Sequence, residues 1–226
     1  MAPGRVLEPA EIADRALRWP VAERRVLARG AICDFVDDRI ETPAGGHVAR
    51  QFTTHPGAVG IIAWNDNDQI AVVRQYRHPV GFELIEPPAG LLDHADEDYL
   101  EAAKRELAEE VGLAANCWQV LVDVFSSPGA NAESIRVYLA TGIQPAPVPD
   151  GFEPDAEEAE MEACWAARAD LVAAIFSGRV QNPTLVDGVL ALETARLSGG
   201  LDSLRPADAP WEARVTWRKH GLGVRG

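Results

Sequence analysis

The chain is short of basic residues, of cysteines and of long apolar runs. Its 226 residues hold 21 Lys and Arg against 35 Asp and Glu, a formal net charge of −14. Phosphate backbones and anionic lipids attract surpluses of Lys and Arg, so this balance argues against a general nucleic-acid binder and against a membrane-surface binder. A small phosphorylated substrate stays compatible with the charge if divalent cations intervene.

The scarcity of cysteine and of apolar runs predicts the compartment. Cys33, Cys117 and Cys164 are widely spaced and form no CxxC pattern, which indicates reduced thiols. No stretch of about 18 apolar residues occurs, and the first residues lack an apolar core preceded by basic residues. These absences favour a cytoplasmic protein.

Hydrophobic residues, 47% of the chain, fall into alternating segments of two types. Strand-like segments include "GAVGIIAW", "QIAVVRQYR", "CWQVLVDVF" and "SIRVYLATG", and "PAGG" supplies a hairpin turn. "CWAARADLVAAIFSGRV" and "TLVDGVLALETARLSGG" have helical spacing. This order predicts an α/β sandwich with a mixed sheet.

We divide the chain into an arm, a main domain and a tail. Residues 1–28 form the arm, in which "EPAEIADRALRW" allows a short amphipathic helix. Residues 29–198 form the main domain. Residues 199–226 are punctuated by Pro and Gly, a pattern that leaves open disorder or a crossing to a partner subunit.

The stretch "EPPAGLLDHADEDYLEAAKRELAEEVGL", residues 86–113, crowds carboxylates on one predicted helix. Taken from about residue 97 to 111, this helix has an apolar face made of Leu100, Ala103, Leu107 and Val111. Carboxylates occupy a separate arc of about 100° beside that face. The members of this arc are Glu106, Glu109 and Glu110.

Like charges at this spacing cost a few tenths of a kcal/mol per pair, roughly, and Arg105 relieves only part of that. Convergent carboxylates suit Mg²⁺ or Mn²⁺, which take their remaining ligands from water and substrate phosphate. A solvated acidic helix face is the alternative that the helix pattern leaves open.

The same stretch resembles the Nudix box, G-x5-E-x7-R-E-φ-x-E-E-x-G-φ with φ aliphatic. Its second half matches from Arg105 to Leu113, and Glu97 lies at the expected distance before Arg105. The departure is at Gly90, which six residues rather than five separate from Glu97. Flanking segments such as "VVRQYRHPVG" and "PPAGLLD" are similar to the ADP-ribose pyrophosphatase branch, over roughly residues 30 to 195.

This resemblance implies an α/β/α sandwich with an N-terminal strand extension, a divalent-metal hydrolase, and a homodimer whose N-terminal strands complete the partner's substrate site. It implies that Mg²⁺, with Mn²⁺ as a substitute, is held by Glu106, Glu110 and the carbonyl of Ala89. The catalytic group that it implies also contains Glu109, as a ligand or close neighbour of the metal, and Arg105 and Glu97, which orient the ligand carboxylates.

Further roles come from the same resemblance. The catalytic base, or an additional metal ligand, is expected in the acidic loop at Glu158, with Glu157 and Glu160 as alternatives. A solvated loop is the competing interpretation.

Substrate contacts are expected from four residues: Arg50, Arg77, Glu86 and Glu133. Guanidinium groups suit phosphate oxygens, although both arginines could equally be exposed strand residues.

The implied reaction is metal-dependent hydrolysis of the pyrophosphate bond of ADP-ribose, or a close ADP-sugar, to AMP and a sugar phosphate such as ribose 5-phosphate. Two alternatives stay open. One is a different nucleotide sugar, such as GDP-mannose, and the other is a domain that senses a nucleotide without turnover.

Overall fold

A computed structural model describes residues 4–92, 97–147 and 160–219 of the protein. The strands in the first half of the chain are β1 (Val21–Arg29), β2 (Asp34–Glu41), β3 (His47–Thr54), β4 (Ala58–Ala63), β5 (Gln69–Arg77), β6 (Phe82–Glu86) and β7 (Ala89–Leu91). The later strands are β8 (Leu113–Phe125), β9 (Asn131–Ala132), β10 (Ser134–Pro145), β11 (Glu162–Ala167) and β12 (Arg205–Pro206). The helices are α1 (Tyr99–Val111), α2 (Arg168–Phe176), α3 (Pro183–Ser198) and α4 (Glu212–Lys219).

The central sheet has the strand order β12-β8-β10-β4-β7 and is mixed, because β10 pairs parallel to β4 and antiparallel to β8. Alternate residues of a strand face opposite sides of a sheet, and both sides are apolar here. One core includes Ile61, Tyr138 and Leu107 of α1. The other includes Ile62 and Val189 of α3. Helices therefore cover both faces, which confirms the predicted α/β/α sandwich.

Two smaller sheets flank the central one. The first has the order β1-β2-β3-β9 and contains the expected hairpin, in which β2 and β3 pair antiparallel. Its β1 begins at Val21, so the last part of the expected arm is paired strand. The second has the order β11-β5-β6, and its β5–β6 hairpin ends immediately before β7.

Two expected helices differ from the structure. The segment "EPAEIADRALRW" contains only a 3₁₀ turn, Pro9–Glu11, because it packs no apolar face against the sheet and Ile12 stays exposed. The segment after Cys164 begins as strand, since β11 pairs with β5 from Glu162 to Ala167, and only then does α2 begin. Pairing with a neighbouring strand outweighed the helical pattern there.

Residues 201–219 pack on their own chain rather than extending away from it. β12 pairs with β8, and two tryptophans are buried against the body of the protein: Trp211, just before α4, and Trp217 within it. The sequence did not predict this because the partners of the segment, such as β8 and Arg136 of β10, lie about seventy or more positions away. Among the described residues, no helix has the length and apolar character needed to cross a membrane.

Candidate active site

Helix α1 presents the carboxylates, and its two ends are fixed by local interactions. The carboxylate of Asp98 accepts the backbone N–H groups of Leu100, at 2.9 Å, and Glu101, at 3.4 Å, before the first turn. The helix ends at Gly112, which has the left-handed conformation common at that position. It begins at Tyr99 rather than near residue 97, so Glu97 lies just outside it. Its apolar face is buried, with Leu107 fully covered.

Arg105 gathers three of the predicted carboxylates around one guanidinium group. Its Nε and Nη2 donate to Glu97 Oε1 and Oε2 at 2.9 and 3.1 Å. Its Nη1 donates to Glu106 Oε1 at 2.7 Å and to Glu109 Oε2 at 2.8 Å. These bonds, above all those to Glu97, raise the pKa of Arg105 well above its usual value. One guanidinium therefore holds three carboxylates together.

Glu101 does not take part in this network. Its carboxylate pairs with Lys104 at 2.7 Å, on the exposed side of the helix. The i,i+4 pair between Glu101 and Arg105, which would have given the arginine a purely helical role, is therefore not the arrangement observed.

Two carboxylates of α1 meet the backbone of β7. The backbone N–H of Ala89 donates to Glu110 Oε2 at 2.9 Å. The carboxyl group of Glu106 lies against Gly90, where a Cβ atom would be only 2.1 Å from Glu106 Cδ. Only glycine leaves room for this approach. Glu106 and Glu110 thus converge on two consecutive residues of β7, despite the additional residue between Gly90 and Glu97.

The donor set at this point suits a hard divalent cation. It consists of carboxylate oxygens on α1 beside the backbone of β7, and the side chains of Glu106 and Glu109 are each 13% exposed. Within residues 4–92, 97–147 and 160–219, no group of three or more His, Cys, Asp or Glu side chains has a spacing that could hold a metal. The expected set, two carboxylates and the Ala89 carbonyl, contains only two such side chains.

Arg77 and Glu86, both expected at the substrate, pair with each other. Arg77 Nε and Nη2 donate to Glu86 Oε1 and Oε2 at 2.9 and 2.6 Å, across the β5–β6 hairpin. The side chain of Glu86 is 4% exposed, whereas that of Arg77 is 43% exposed. The buried carboxylate of Glu86, three residues before Ala89 in the chain, fixes the partly exposed guanidinium of Arg77.

Arg50 lies apart from α1, on β3 of the N-terminal sheet. Its guanidinium Nη1 donates to the carbonyl of Ala49 at 2.8 Å and is exposed. In register it stands opposite Asp38 on β2, whose carboxylate pairs with Arg24. The single chain therefore does not join Arg50 to the carboxylates of α1.

Glu133 lies in a polar cluster that the sequence did not indicate. Its Oε2 accepts a hydrogen bond from the Ser126 hydroxyl, and His55 Nε2 lies 3.3 Å from its Oε1. Asn131 Nδ2 is a further neighbour of Oε2 at 3.5 Å. His55 and Glu133 are too far apart in the chain for any local pattern to connect them.

The expected base falls mostly outside the described residues. Glu157 and Glu158 belong to residues 148–159, which the structure does not describe. Glu160 is described and exposed, immediately before β11.

Comparisons with known proteins identify the family. A family model described as the NUDIX domain matches residues 54–186, more than half of the chain. This chain belongs to the Nudix family. The predicted resemblance is confirmed, and Nudix hydrolases generally use divalent metal ions, in keeping with the carboxylates of α1.

Similar proteins carry more than one name. The chain is 43% identical over 190 residues to the ADP-ribose pyrophosphatase of Mycobacterium tuberculosis, covering 84% of this chain and 89% of that one. It is 37% identical over 114 residues to the methanol dehydrogenase activator of Bacillus methanolicus, covering 50% of this chain and 61% of that one. A solved structure of an ADP compounds hydrolase superposes with a TM-score of 0.65, covering 84% of this chain and 100% of that one. Its sequence identity is 20%, so this likeness concerns the fold.

Proposed function

We propose that this Nudix protein hydrolyses the pyrophosphate bond of ADP-ribose, or of a close ADP-sugar, to AMP and ribose 5-phosphate or the matching sugar phosphate. The observation that carries the proposal is the convergence of Glu106 and Glu110 on Ala89 and Gly90. The substrate class is supported by the similarity to the ADP-ribose pyrophosphatase of Mycobacterium tuberculosis.

Glu106, Glu110 and the carbonyl of Ala89 would hold Mg²⁺, or Mn²⁺ in its place. The bound metal supplies charge neutralisation at the pyrophosphate and activation of the attacking water. Arg105 keeps the carboxylates of Glu106 and Glu109 oriented by its hydrogen bonds to both. Glu97 fixes the other edge of the same guanidinium, which limits its rotation.

The substrate phosphates would meet Arg77, whose position is fixed by the buried carboxylate of Glu86. A guanidinium already held by a buried carboxylate loses little side-chain entropy when it contacts a phosphate. Glu133 would contact the substrate from the β9–β10 side. Proton removal from water would fall to Glu158 of the acidic loop, with Glu157 or Glu160 as alternatives.

Arg50 would reach the substrate of a partner subunit in a homodimer. The N-terminal sheet leaves Val26, Leu27 and Phe35 exposed by about 40%, at 43%, 44% and 39%. Neighbouring exposed apolar residues favour association. Light scattering after gel filtration tests this step, and a monomeric mass at micromolar concentration would contradict it.

We also propose that residues 29–198 are the catalytic unit, with 1–28 and 199–226 as extensions, and that the protein is cytoplasmic. The family match at residues 54–186 falls inside that unit. The acidic balance and the scattered cysteines support the compartment.

Two other functions are distinguished by the same experiment. A different nucleotide sugar, such as GDP-mannose, would use the same phosphate chemistry. Binding without turnover is the second, and the similarity to a protein named as an activator gives it a specific reason. The presence of Glu106, Glu109 and Glu110 together favours turnover over sensing.

The deciding experiment measures hydrolysis of ADP-ribose, ADP-glucose, GDP-mannose, NADH and diadenosine polyphosphates with Mg²⁺ or Mn²⁺. AMP, GMP and phosphate are followed as products. We expect fast, metal-dependent release of AMP, chiefly from ADP-ribose. Preferred turnover of another compound would show that ADP-ribose is not the substrate. Tight binding of one compound without turnover would show that the protein is a nucleotide sensor rather than a hydrolase.

A further inference from the structure

The C-terminal segment is anchored to the central sheet by Arg136 of β10, whose side chain is 1% exposed. Its Nε and Nη2 donate to the carboxylate of Asp123 at 2.7 and 3.0 Å. Its Nη1 donates to the carbonyl of Ala209 at 2.7 Å, and its guanidinium carbon lies 4.9 Å from the ring centre of Trp211. The segment leading into α4 therefore has a defined place.

From that place, α4 directs Arg214 between the first residue of α1 and the bend before β4. The residue is 2% exposed, and its Nη1 donates to the carbonyl of Pro56. Its guanidinium carbon lies 5.6 Å from the ring centre of Tyr99, the first residue of α1. Tyr99 also meets Trp211 edge to face, with ring centres 5.2 Å apart. Arg214 thus contacts both the start of α1 and the bend before β4.

That bend carries His55, whose protonation is fixed by its neighbours. The backbone N–H of Gly57 donates to Nδ1 at 3.0 Å, so the proton of the neutral ring is on Nε2. Burial, aided by the charge of Arg214, lowers the pKa of His55, while Glu133 opposes the shift. The Nε2 side of this ring faces Glu133, with Nε2 3.3 Å from Glu133 Oε1.

Both oxygens of Glu133 therefore lie against side chains of the protein. Oε1 faces His55 and Oε2 accepts from the Ser126 hydroxyl, while the side chain stays 18% exposed. The next residue begins β10, parallel to β4, and β4 pairs with Ala89 and Leu91 of β7. Glu133 therefore precedes a strand, β10, that only β4 separates from β7, the strand that meets Glu106 and Glu110.

We propose that Arg214 and His55 are positioning residues for Glu133, so that α4, which follows the Nudix match in the chain, sets the shape of the substrate site. Arg214 holds the bend at Pro56, and His55 on this bend holds Glu133. The inference rests on the proposed function, in which Glu133 touches the substrate. A carboxylate fixed before binding loses less freedom when the substrate arrives, so the arrangement lowers KM more than it raises kcat.

A double-mutant cycle tests the connection between the two residues. Arg214→Met and Glu133→Gln are each expected to raise KM for ADP-ribose roughly tenfold, with kcat changed less than about threefold. The double variant should be no worse than Glu133→Gln alone, because Arg214 acts through Glu133. Losses that multiply would overturn the proposal, as would an unchanged KM in folded Arg214→Met.

Matched variants separate positioning from general stability. Arg214→Lys retains a cation and a donor for the Pro56 carbonyl, and its KM should lie between those of the unaltered protein and Arg214→Met. Val215→Ala lies next to Arg214 on α4 at an exposed position and should leave KM and kcat unchanged. Circular dichroism verifies that each variant is folded, and Arg214→Lys serves as the test if Arg214→Met does not fold.

A measurement independent of activity completes the test. Long-range ¹H–¹⁵N spectra of ¹⁵N-histidine-labelled protein should show His55 with its proton on Nε2, and Arg214→Met should weaken this preference. A proton on Nδ1 in the unaltered protein, or an unchanged spectrum in Arg214→Met, would overturn the proposal. If no compound of the panel is hydrolysed, the proposed function fails, while this spectrum still decides whether Arg214 positions His55.

Discussion

Two clusters of arginine and carboxylate illustrate how similar ion pairs can serve different purposes. On α1, the single guanidinium of Arg105 meets Glu97, Glu106 and Glu109, with Glu110 on the next turn. On the other side of the sheet, two arginines meet two carboxylates. Arg168 binds Asp68 through two bonds of 2.8 Å and also pairs with Glu193, which Arg196 approaches to 2.9 Å.

The difference lies in charge balance and in what each cluster connects. The second cluster is neutral as a whole and ties the turn before β5 to α2 and α3, beside a cavity of about 530 Å³ that Trp64 and Thr141 help to line. The α1 cluster keeps an excess of negative charge next to the backbone of β7. A balanced cluster stabilises the fold, whereas an excess of carboxylates at a strand end favours a bound cation.

The largest effect is expected from changing one carboxylate of the α1 cluster. Glu110→Gln removes a metal-ligating charge and should lower turnover of ADP-ribose by about 10²- to 10³-fold, with circular dichroism unchanged. Mg²⁺ should also stop raising its melting temperature, a readout that does not depend on turnover. Glu193→Gln is the control and should retain turnover within about twofold. Near-normal turnover in Glu110→Gln would contradict the assignment of metal binding to the α1 cluster and of stabilisation alone to the second cluster.

Next in size is the stability effect of the balanced cluster. Arg168→Met leaves two carboxylates without their shared cation and should lower the free energy of unfolding by about 1–3 kcal/mol, measured by urea titration. Turnover should be preserved. Arg196→Met is the comparison, because its side chain is 35% exposed against 10% for Arg168, and its effect should be smaller. A large loss of kcat in folded Arg168→Met would show that this cluster also serves catalysis.

A smaller effect is expected from the contact between strand and helix. Gly90→Ala places a methyl group against the Glu106 carboxyl and should lower kcat about tenfold while changing the melting temperature little. Gly200→Ala, whose nearest neighbours are the hydroxyl oxygens of Ser198 and Ser203 at 3.2 and 3.4 Å, is the matched control. Equal kcat in the two variants would mean that the position of Glu106 against Gly90 does not affect catalysis.

The smallest effect concerns acid stability. The hydrogen bond from Arg168 lowers the pKa of Asp68, and that from Arg196 lowers the pKa of Glu193. Both folded-state values lie below the unfolded values of about 3.9 and 4.3, so the unfolded state binds more protons in this range. Their stabilisation is complete above about pH 5 and is lost as the pH falls through the folded-state values.

Urea titrations between pH 6 and pH 3.5 measure this loss. Glu193→Gln should show a shallower fall in the free energy of unfolding than the unaltered protein, because it lacks one of the two titrating groups. Identical pH dependence in both proteins would contradict the role assigned to this ion pair.

Local patterns predicted the parts of the protein that depend on local physics. The apolar face of α1, its end at Gly112 and the arc of carboxylates follow from the helical period. The segment from Cys164 to Ala167 was wrongly predicted as helix, because its pairing with β5 involves residues more than ninety positions away. The joining of Asp68 to Arg168 has the same origin and left no sequence signal.

By itself, the sequence determined the two faces of α1, the excess of carboxylates and hence the chemistry that the helix can support. Only the tertiary structure decided that Glu106 and Glu110 meet Ala89 and Gly90, and that Arg214 reaches the bend beside His55. The physical reason is the range of the forces involved. A helical face repeats every few residues along the chain, whereas contacts between strands and distant helices depend on the spatial order of the strands in the sheet.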